Sequence, residues 1–496
     1  MESSKIKAVL IVVVAIFAAL YLGISAATAQ METVLWVLGG VGFAVCLLLG
    51  RKIWLLLPFL GALGLTLRLP GLPSSLLLAQ VLVIAFSILL LLTRKLPFQL
   101  KWTELEFWCA GLAALVAQAY LRNPVGVNIF GGATVGGKAY FIFALTFVAA
   151  ALLAGLKVSP SELRTALRLS ILGGILNFFV AALGRFVPSV AYWTGAQYAS
   201  AEVDYTTFGQ EVDSGQATRE SSLVTLAQNL SLWVSSFKSP LRACFHPLWA
   251  PLVLLSLAAA TLSGFRNSVA MVGLTYFVGL CYRGGGIQVM ASALVGVVGL
   301  ALLALINLTS PLPPNTQRAL SFLPGTWEER YVGDAKGSSE WRFEIWREVL
   351  FTDRWISNKW LGDGLGFSAR ELQYQMSGQD TGVGVSGFDA HRESILASGD
   401  YHSGPVSSVR VVGYVGLVFF VLAQIRLAII AHRQIVSCRK TEWFPIALFF
   451  GIPLLWAPIF FVLIFGDFKM AAASFLMSCG MLRLLQNNLP TPRIVW

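Results

Sequence analysis

The stretch VMASALVGVVGLALLALINL, Val289 to Leu308, holds twenty residues and no charge. At about 1.5 Å of rise per residue, a helix of that length matches the roughly 30 Å hydrocarbon core of a bilayer. The amphipathic helix of a soluble domain carries charge on one face, and this stretch has none on any. Leu76 to Leu92 is of the same kind. Reading outward in both directions, spans fall near 6–24, 32–50, 53–67, 74–93, 105–121, 137–156, 167–186, 220–236, 246–262, 266–281 and 287–308, then 409–431, 443–464 and 470–486. The expectation is an all-α polytopic membrane protein of about 12–14 transmembrane helices. A bundle of about 11 spans occupies 1–308, with an outer polar loop at 187–219. A large, mainly helical extracytoplasmic loop domain follows at 309–408, and 409–496 returns to the membrane. The first segment, with Lys5, Lys7 and Ala26-Ala27-Thr28-Ala29, resembles a signal peptide and is read as the first span.

Composition excludes the other classes. The chain is 56% hydrophobic and 12% charged, with a mean hydropathy of +0.72, and a β-barrel would give weak alternating segments in place of continuous runs. Charge is distributed unevenly. Thr309 to Tyr401 holds 13 acidic and 9 basic residues, a net of −4, which leaves +15 of the +11 total for the rest. With the N-terminus inside, the short basic clusters Arg51/Lys52, Arg94/Lys95/Lys101, Lys157/Arg164, Lys238/Arg242, Arg283 and Arg433/Arg439/Lys440 all fall on the cytoplasmic side, as the positive-inside rule requires. The polar loops then face outward. A mildly acidic outer segment argues against nucleic acid as a partner. The six cysteines (46, 109, 244, 281, 438 and 479) and four histidines form no metal motif, so no metal and no cofactor is expected. Gly131-Gly132 and Gly284-Gly285-Gly286 lack the Lys-Ser/Thr of a phosphate loop.

The loop 309–408 is rich in aromatics, with Trp327, Trp341, Trp346, Trp355 and Trp360 among them, which a disordered linker is not. Phe343, Trp346 and Val349/Leu350 recur at helical spacing, with Ser338/Ser339 as the expected cap. Gly362-Asp363-Gly364-Leu365-Gly366-Phe367 reads as a tight turn, and Gly378 to Gly387 as a mobile stretch.

Three residues stand out for chemistry. Arg266 follows Ser263-Gly264-Phe265 in a very short turn and falls in the first turn of a helix starting at the outer face. Free N–H groups, the helix dipole and a guanidinium fork together favour a phosphate or diphosphate; the plainer reading is an interfacial arginine that snorkels. Arg219 ends an acidic stretch and precedes the polar span Glu220–Ser236, and an ion pair with Glu220 or Glu211 is its plainer role. His402, in Tyr401-His402-Ser403-Gly404-Pro405, is the best proton acceptor for a sugar hydroxyl because histidine titrates near neutral pH. Two cations and one base at the outer boundary suit a lipid-linked sugar donor.

These residues resemble the O-antigen ligase and O-antigen polymerase superfamily, bacterial glycosyltransferases that use lipid-linked donors. The resemblance is carried by Ser263-Gly264-Phe265-Arg266-Asn267, by Arg342-Phe343-Glu344-Ile345-Trp346 ahead of Gly362-Asp363-Gly364-Leu365-Gly366, and by Tyr401-His402-Ser403 ahead of Gly413-Tyr414-Val415-Gly416-Leu417. It extends from Trp249 to about Phe420, and over the earlier spans by topology alone. It departs from the family's short Ser-Arg-Gly-like motif where Phe265 and Asn267 flank Arg266, where Ser403 replaces the family's asparagine, and where no Gly-rich string follows Arg219. The resemblance implies a metal-independent inverting glycosyltransferase of the bacterial inner membrane, with its site facing the periplasm. The implied donor is an undecaprenyl-diphosphate-linked glycan and the acceptor a lipid (lipid A-core) or a glycan. Arg266 and Arg219 would hold the diphosphate, His402 would activate the acceptor, and Arg342 and Tyr401 would line the substrate. Ligase and polymerase share these motifs. A transporter or flippase for lipid-linked sugars, or an assembly protein with a structural outer loop, are the other classes. A transporter is expected to show internal repeats, and a scaffold leaves Arg266 and His402 unexplained.

Overall fold

The computed structural model of the chain describes residues 31–68, 73–126, 136–194, 220–366, 395–396, 399 and 401–489. The expected first span, Arg219 and the stretch Gly378 to Gly387 lie outside these. Among the described residues the regular structure is helical, with two isolated bridges, Thr66 to Ser74 and Phe98 to Leu156. In chain order, α1 (Met31–Leu49) passes through a 3-10 segment (Gly50–Leu55) into α2 (Leu56–Leu63). Then come α3 (Ser75–Leu92), α4 (Glu104–Arg122), α5 (Lys138–Gly155), α6 (Pro160–Phe186) and the short α7 (Pro188–Thr194). The middle holds α8 (Ser221–Phe237), α9 (Pro240–Cys244), α10 (Ala250–Leu262), α11 (Arg266–Arg283) and α12 (Gly285–Thr309). The loop supplies α13 (Pro314–Leu320) and α14 (Glu329–Phe351). Last are α15 (Gly404–Cys438), α16 (Phe444–Ile459), which a π turn (Phe460–Ile464) extends, and α17 (Phe468–Asn488).

Among the described residues, eight helices are long and apolar enough to cross a bilayer: Gly42–Leu63, Ser75–Leu92, Lys138–Gly155, Pro160–Phe186, Gly285–Thr309, Gly404–Cys438, Phe444–Ile464 and Phe468–Asn488. The chain is an all-α, multi-pass membrane protein. Its helix starts follow local chemistry. Ser74 caps α3 by accepting from Leu77 N at 3.1 Å, and Thr103 with Glu106 closes a capping box on α4. Ser159 accepts from Glu162 N ahead of Pro160, which needs no N–H in the first turn.

Helices meet where small residues let backbones approach, the usual device where lipid removes the hydrophobic drive between helices. A Cβ on Gly173 of α6 would lie 2.4 Å from the Phe59 carbonyl of α2. One on Gly480 of α17 would lie 2.7 Å from the Ala150 carbonyl of α5.

The contacts sort the helix ends onto two faces. On one, Arg164 pairs with Glu442 at 2.8 Å and Arg283 lies over the ring of Phe444. Arg483 there pairs with Glu106 at 2.9 Å, Trp54 reaches Glu162, and Lys157 N donates to Pro97 O. The basic clusters grouped from the sequence thus share a single face. On the opposite face Glu220 N donates to Ser263 O at 3.0 Å and Asp363 N to Arg410 O at 2.7 Å. Helices α4, α8, α10 and α11 are shorter or less apolar than the eight and link the same two faces.

Two sequence expectations are corrected here. The helix expected to start near Ser338 begins at Glu329, with Glu328 at its cap position, so Ser338 and Ser339 fall within the helix and not at its start. On that helix Ile345 and Val349 are the buried pair. Phe343 is 65% exposed and meets Trp346 edge-on at 5.2 Å. The expected face holds for Trp346, Val349 and Leu350, which pack with Ile345 in one cluster, and Phe343 alone lies outside it.

Candidate functional site

The turn between α10 and α11 is built to present the start of α11. Ser263, fully buried, donates its hydroxyl to Ala260 O at 2.7 Å and accepts from Phe265 N at 3.2 Å. Gly264 has φ 72°, a left-handed conformation that glycine adopts without penalty. Helix α11 then begins at Arg266, and no side chain caps it. Buried Arg318 of α13 donates from Nη1 to Gly264 O at 2.8 Å. Asn315 holds Leu262 O at 2.9 Å. Arg266 is half-buried. Beside it, Asn267 Oδ1 and Ser268 Oγ are buried with no hydrogen-bond partner. The unmet Ser268 hydroxyl, the cations and the helix N-terminus at one place favour an anion, because each donates to or attracts negative charge, whereas Asn267 Oδ1 is an acceptor and calls for a donor such as a ligand hydroxyl. Glu220 borders the same turn. Burial pushes its carboxyl above the ordinary range, against the smaller opposing pull of Arg185.

His402 lies in a second corner of the same face. Its φ is 51°, which costs a side-chain-bearing residue free energy and persists only when its neighbours fix it. They do so here. Tyr401 is buried, its hydroxyl donates to Leu396 O at 3.2 Å, and its carbonyl accepts from Trp346 Nε1 at 2.9 Å. The His402 ring then stacks on Phe465, with centroids 5.7 Å apart and planes at 23°. Phe465 follows the π turn, whose Phe461 carbonyl lies so close to Gly404 that a Cβ there would be 2.4 Å away. Arg342 is one helical turn before Trp346 on α14, so both lie on one helix face. Tyr401 is therefore an anchor for His402, with its side chain turned into the protein.

The glycine-rich stretch expected as a tight turn does more than turn. Helix α15 breaks at Gly413, with φ 72° and ψ −178°, and the chain 359–364 fills the break as a strip. Asp363 N and Gly364 N donate to Arg410 O and Val411 O at 2.7 and 3.1 Å. Tyr414 N and Val415 N donate to Lys359 O and Trp360 O at 2.8 and 3.3 Å. The Asp363 carboxylate accepts from Ser357 N and Asn358 N and pairs with buried Arg410 at 3.3 Å. Arg122 donates to the Leu361 and Gly362 carbonyls at 2.9 and 2.7 Å, and the Tyr140 hydroxyl accepts from Leu365 N at 2.9 Å. Backbone freed inside a membrane bundle needs such partners, since lipid offers none.

Of the residues picked from sequence, Tyr401, His402 and the Arg342–Trp346 helix come together. Arg266 stands at the α10–α11 turn on the same face, linked to them through α13 and α14. Arg219 lies outside the described residues. Arg318, Arg410 and Arg122 were not singled out, and Glu220 and Asp363 entered only as an ion-pair partner and a turn residue. Arg410 was legible in principle, as an arginine just inside a span with a carboxylate within the preceding loop. Among the described residues, no group of three or more His, Cys, Asp or Glu is arranged to hold a metal. No family model matches the sequence, and no curated protein matches it.

Proposed function

We propose that the chain transfers a glycan from a polyprenyl-diphosphate carrier, of the undecaprenyl type, to an acceptor hydroxyl at the membrane face opposite the basic one. On this reading that face is periplasmic and the membrane is a bacterial inner membrane. The observation that carries the reading is the start of α11, where Arg266 and the buried, unpartnered Ser268 hydroxyl meet on a helix end that no side chain caps, braced by Arg318. A diphosphate is the ligand whose charge and acceptor oxygens use these groups, and a lipid carrier brings it to this depth. The acceptor oxygen attacks the anomeric carbon and the C–O bond to the diphosphate breaks. The electron pair leaves with the lipid diphosphate, and the acceptor proton passes to His402 Nε2 or Nδ1. One displacement inverts the anomeric centre. Arg266 stabilises charge on the departing phosphate. Lipid A-core or a growing glycan are the acceptors that the O-antigen ligase and polymerase resemblance offers.

Transport of the same lipid is less well supported. Transporters use unwound backbone at mid-membrane to bind cargo, whereas strip 359–364 occupies backbone groups on both sides of the Gly413 break. The test is glycan transfer in proteoliposomes. Arg266→Ala should lower it by about 10²-fold or more, and Arg266→Lys should recover little, because a point charge lacks the planar fork. Full transfer by a folded Arg266→Ala protein would reduce Arg266 to an interfacial anchor.

A further inference from the structure

The basic face carries a groove that plays no part in this reading. A cavity of about 460 Å³ opens between α6, α8 and the start of α16, lined by Arg164, Arg168, Leu172, Trp233, Phe237 and Ile446 among others. Its chemistry is divided. Leu172, Trp233, Phe237 and Ile446 make it apolar along its length, and its charged lining is two arginines, four residues apart on one face of α6, and the Glu442 carboxylate.

The arginines differ. Arg164 pairs with Glu442 at 2.8 Å and lies 4.8 Å over the Trp443 ring. Arg168 is exposed and, among the described residues, forms no ion pair. Depth decides what can meet it. Helix α6 has 27 residues, about 40 Å of helix against a hydrocarbon core of about 30 Å. Its first turns therefore stand beyond the hydrocarbon on the basic face. Arg168, eight residues or about 12 Å from Pro160, falls near the boundary where lipid phosphates lie. An unpaired guanidinium there, above an apolar channel, calls for a ligand with an anionic head and a hydrocarbon tail.

We propose that this groove is a binding site for an anionic phospholipid. The headgroup phosphate accepts from Arg168, with Arg164 as the second cation, and one acyl chain runs along Leu172 between α6 and α8. The occupant is a membrane lipid and not a free anion, because the larger part of the lining is apolar. It is separate from the donor site, which lies on the opposite face.

The test is native mass spectrometry of the full chain in detergent, with equal amounts of phosphatidylglycerol and phosphatidylcholine. The wild type should retain phosphatidylglycerol in excess. Arg168→Gln, which leaves the Arg164–Glu442 pair intact, should cut that excess about tenfold, and Arg168→Lys should keep most of it. Leu172→Trp, which fills the channel with both arginines present, should lower phosphatidylglycerol retention as well. Inorganic phosphate at the same concentration should displace nothing. An unchanged excess in both folded Arg168→Gln and Leu172→Trp would overturn the site. Displacement by phosphate alone would make it a free-anion site and overturn the lipid assignment.

Discussion

Replacing Gly413, which is buried inside α15, with alanine should destabilise this protein far more than alanine at an open helix glycine such as Gly299. At φ 72° and ψ −178° a residue with a Cβ carries about 1–3 kcal/mol of backbone strain. The Cβ would also lie 2.1 Å from the Trp360 carbonyl oxygen and 2.2 Å from its carbon. Those atoms belong to the strip that fills the α15 break, so the strip must move. If the two bonds nearest the clash are lost, from Tyr414 N and Val415 N, about 1 kcal/mol each is added. The total is about 3–5 kcal/mol. Gly299→Ala on α12 is the control, since nothing lies within 4 Å of a Cβ there, and it should be neutral or slightly stabilising. Thermal unfolding in detergent reads the global effect, and hydrogen exchange of 358–365 and 410–415 reads the local one. If Gly413→Ala unfolds like Gly299→Ala with unchanged exchange, the strip does not hold the break and the reasoning fails.

Asp363→Asn should cost about 3–5 kcal/mol, because it leaves buried Arg410 without its counter-charge; stability close to wild type in denaturant titration would refute the pairing. Glu220→Gln tests the sign of a pH effect. A carboxyl whose folded value is raised by burial favours folding below the ordinary glutamate range, about 4.3, and loses that contribution as pH rises through its raised value. The variant should therefore unfold later than wild type at pH 7–8 and alike at pH 4, and equal curves at both would remove the burial effect. His402→Gly should be more stable than His402→Ala by about 1 kcal/mol, since only glycine is at ease at φ 51°, while both lose transfer. Transfer surviving in either would take the imidazole out of the chemistry.

The membrane class was legible because lipid imposes long uncharged runs such as Val289 to Leu308. The grouping of helix ends was legible because charge sorts by side, and Arg164, Arg283 and Arg483 do meet one face. What composition does not encode is where a helix breaks and what repairs it. Gly413 reads as one more small residue in a span, and its meaning depends on a strip about fifty residues earlier in the chain. The same holds for Arg318, which reads as a loop cation until α13 folds it under Gly264. Phe343 misled because helical spacing gives the side that faces inward, which Trp346, Val349 and Leu350 do, and not where the edge of that side falls. Tyr401 drew notice as a substrate contact beside His402, yet its ring is turned inward, which gives His402 its rigid support.

The central claim is tested most directly by turnover of one defined donor. Purified protein in proteoliposomes is given an undecaprenyl-diphosphate-linked glycan and a hydroxyl acceptor, and both released lipid diphosphate and the anomeric form of the product are measured. The account predicts release of one lipid diphosphate per glycan transferred, an inverted linkage, and loss of both in Arg266→Ala. Release of lipid diphosphate that is unaffected by Arg266→Ala, or a product with retained configuration, would contradict it.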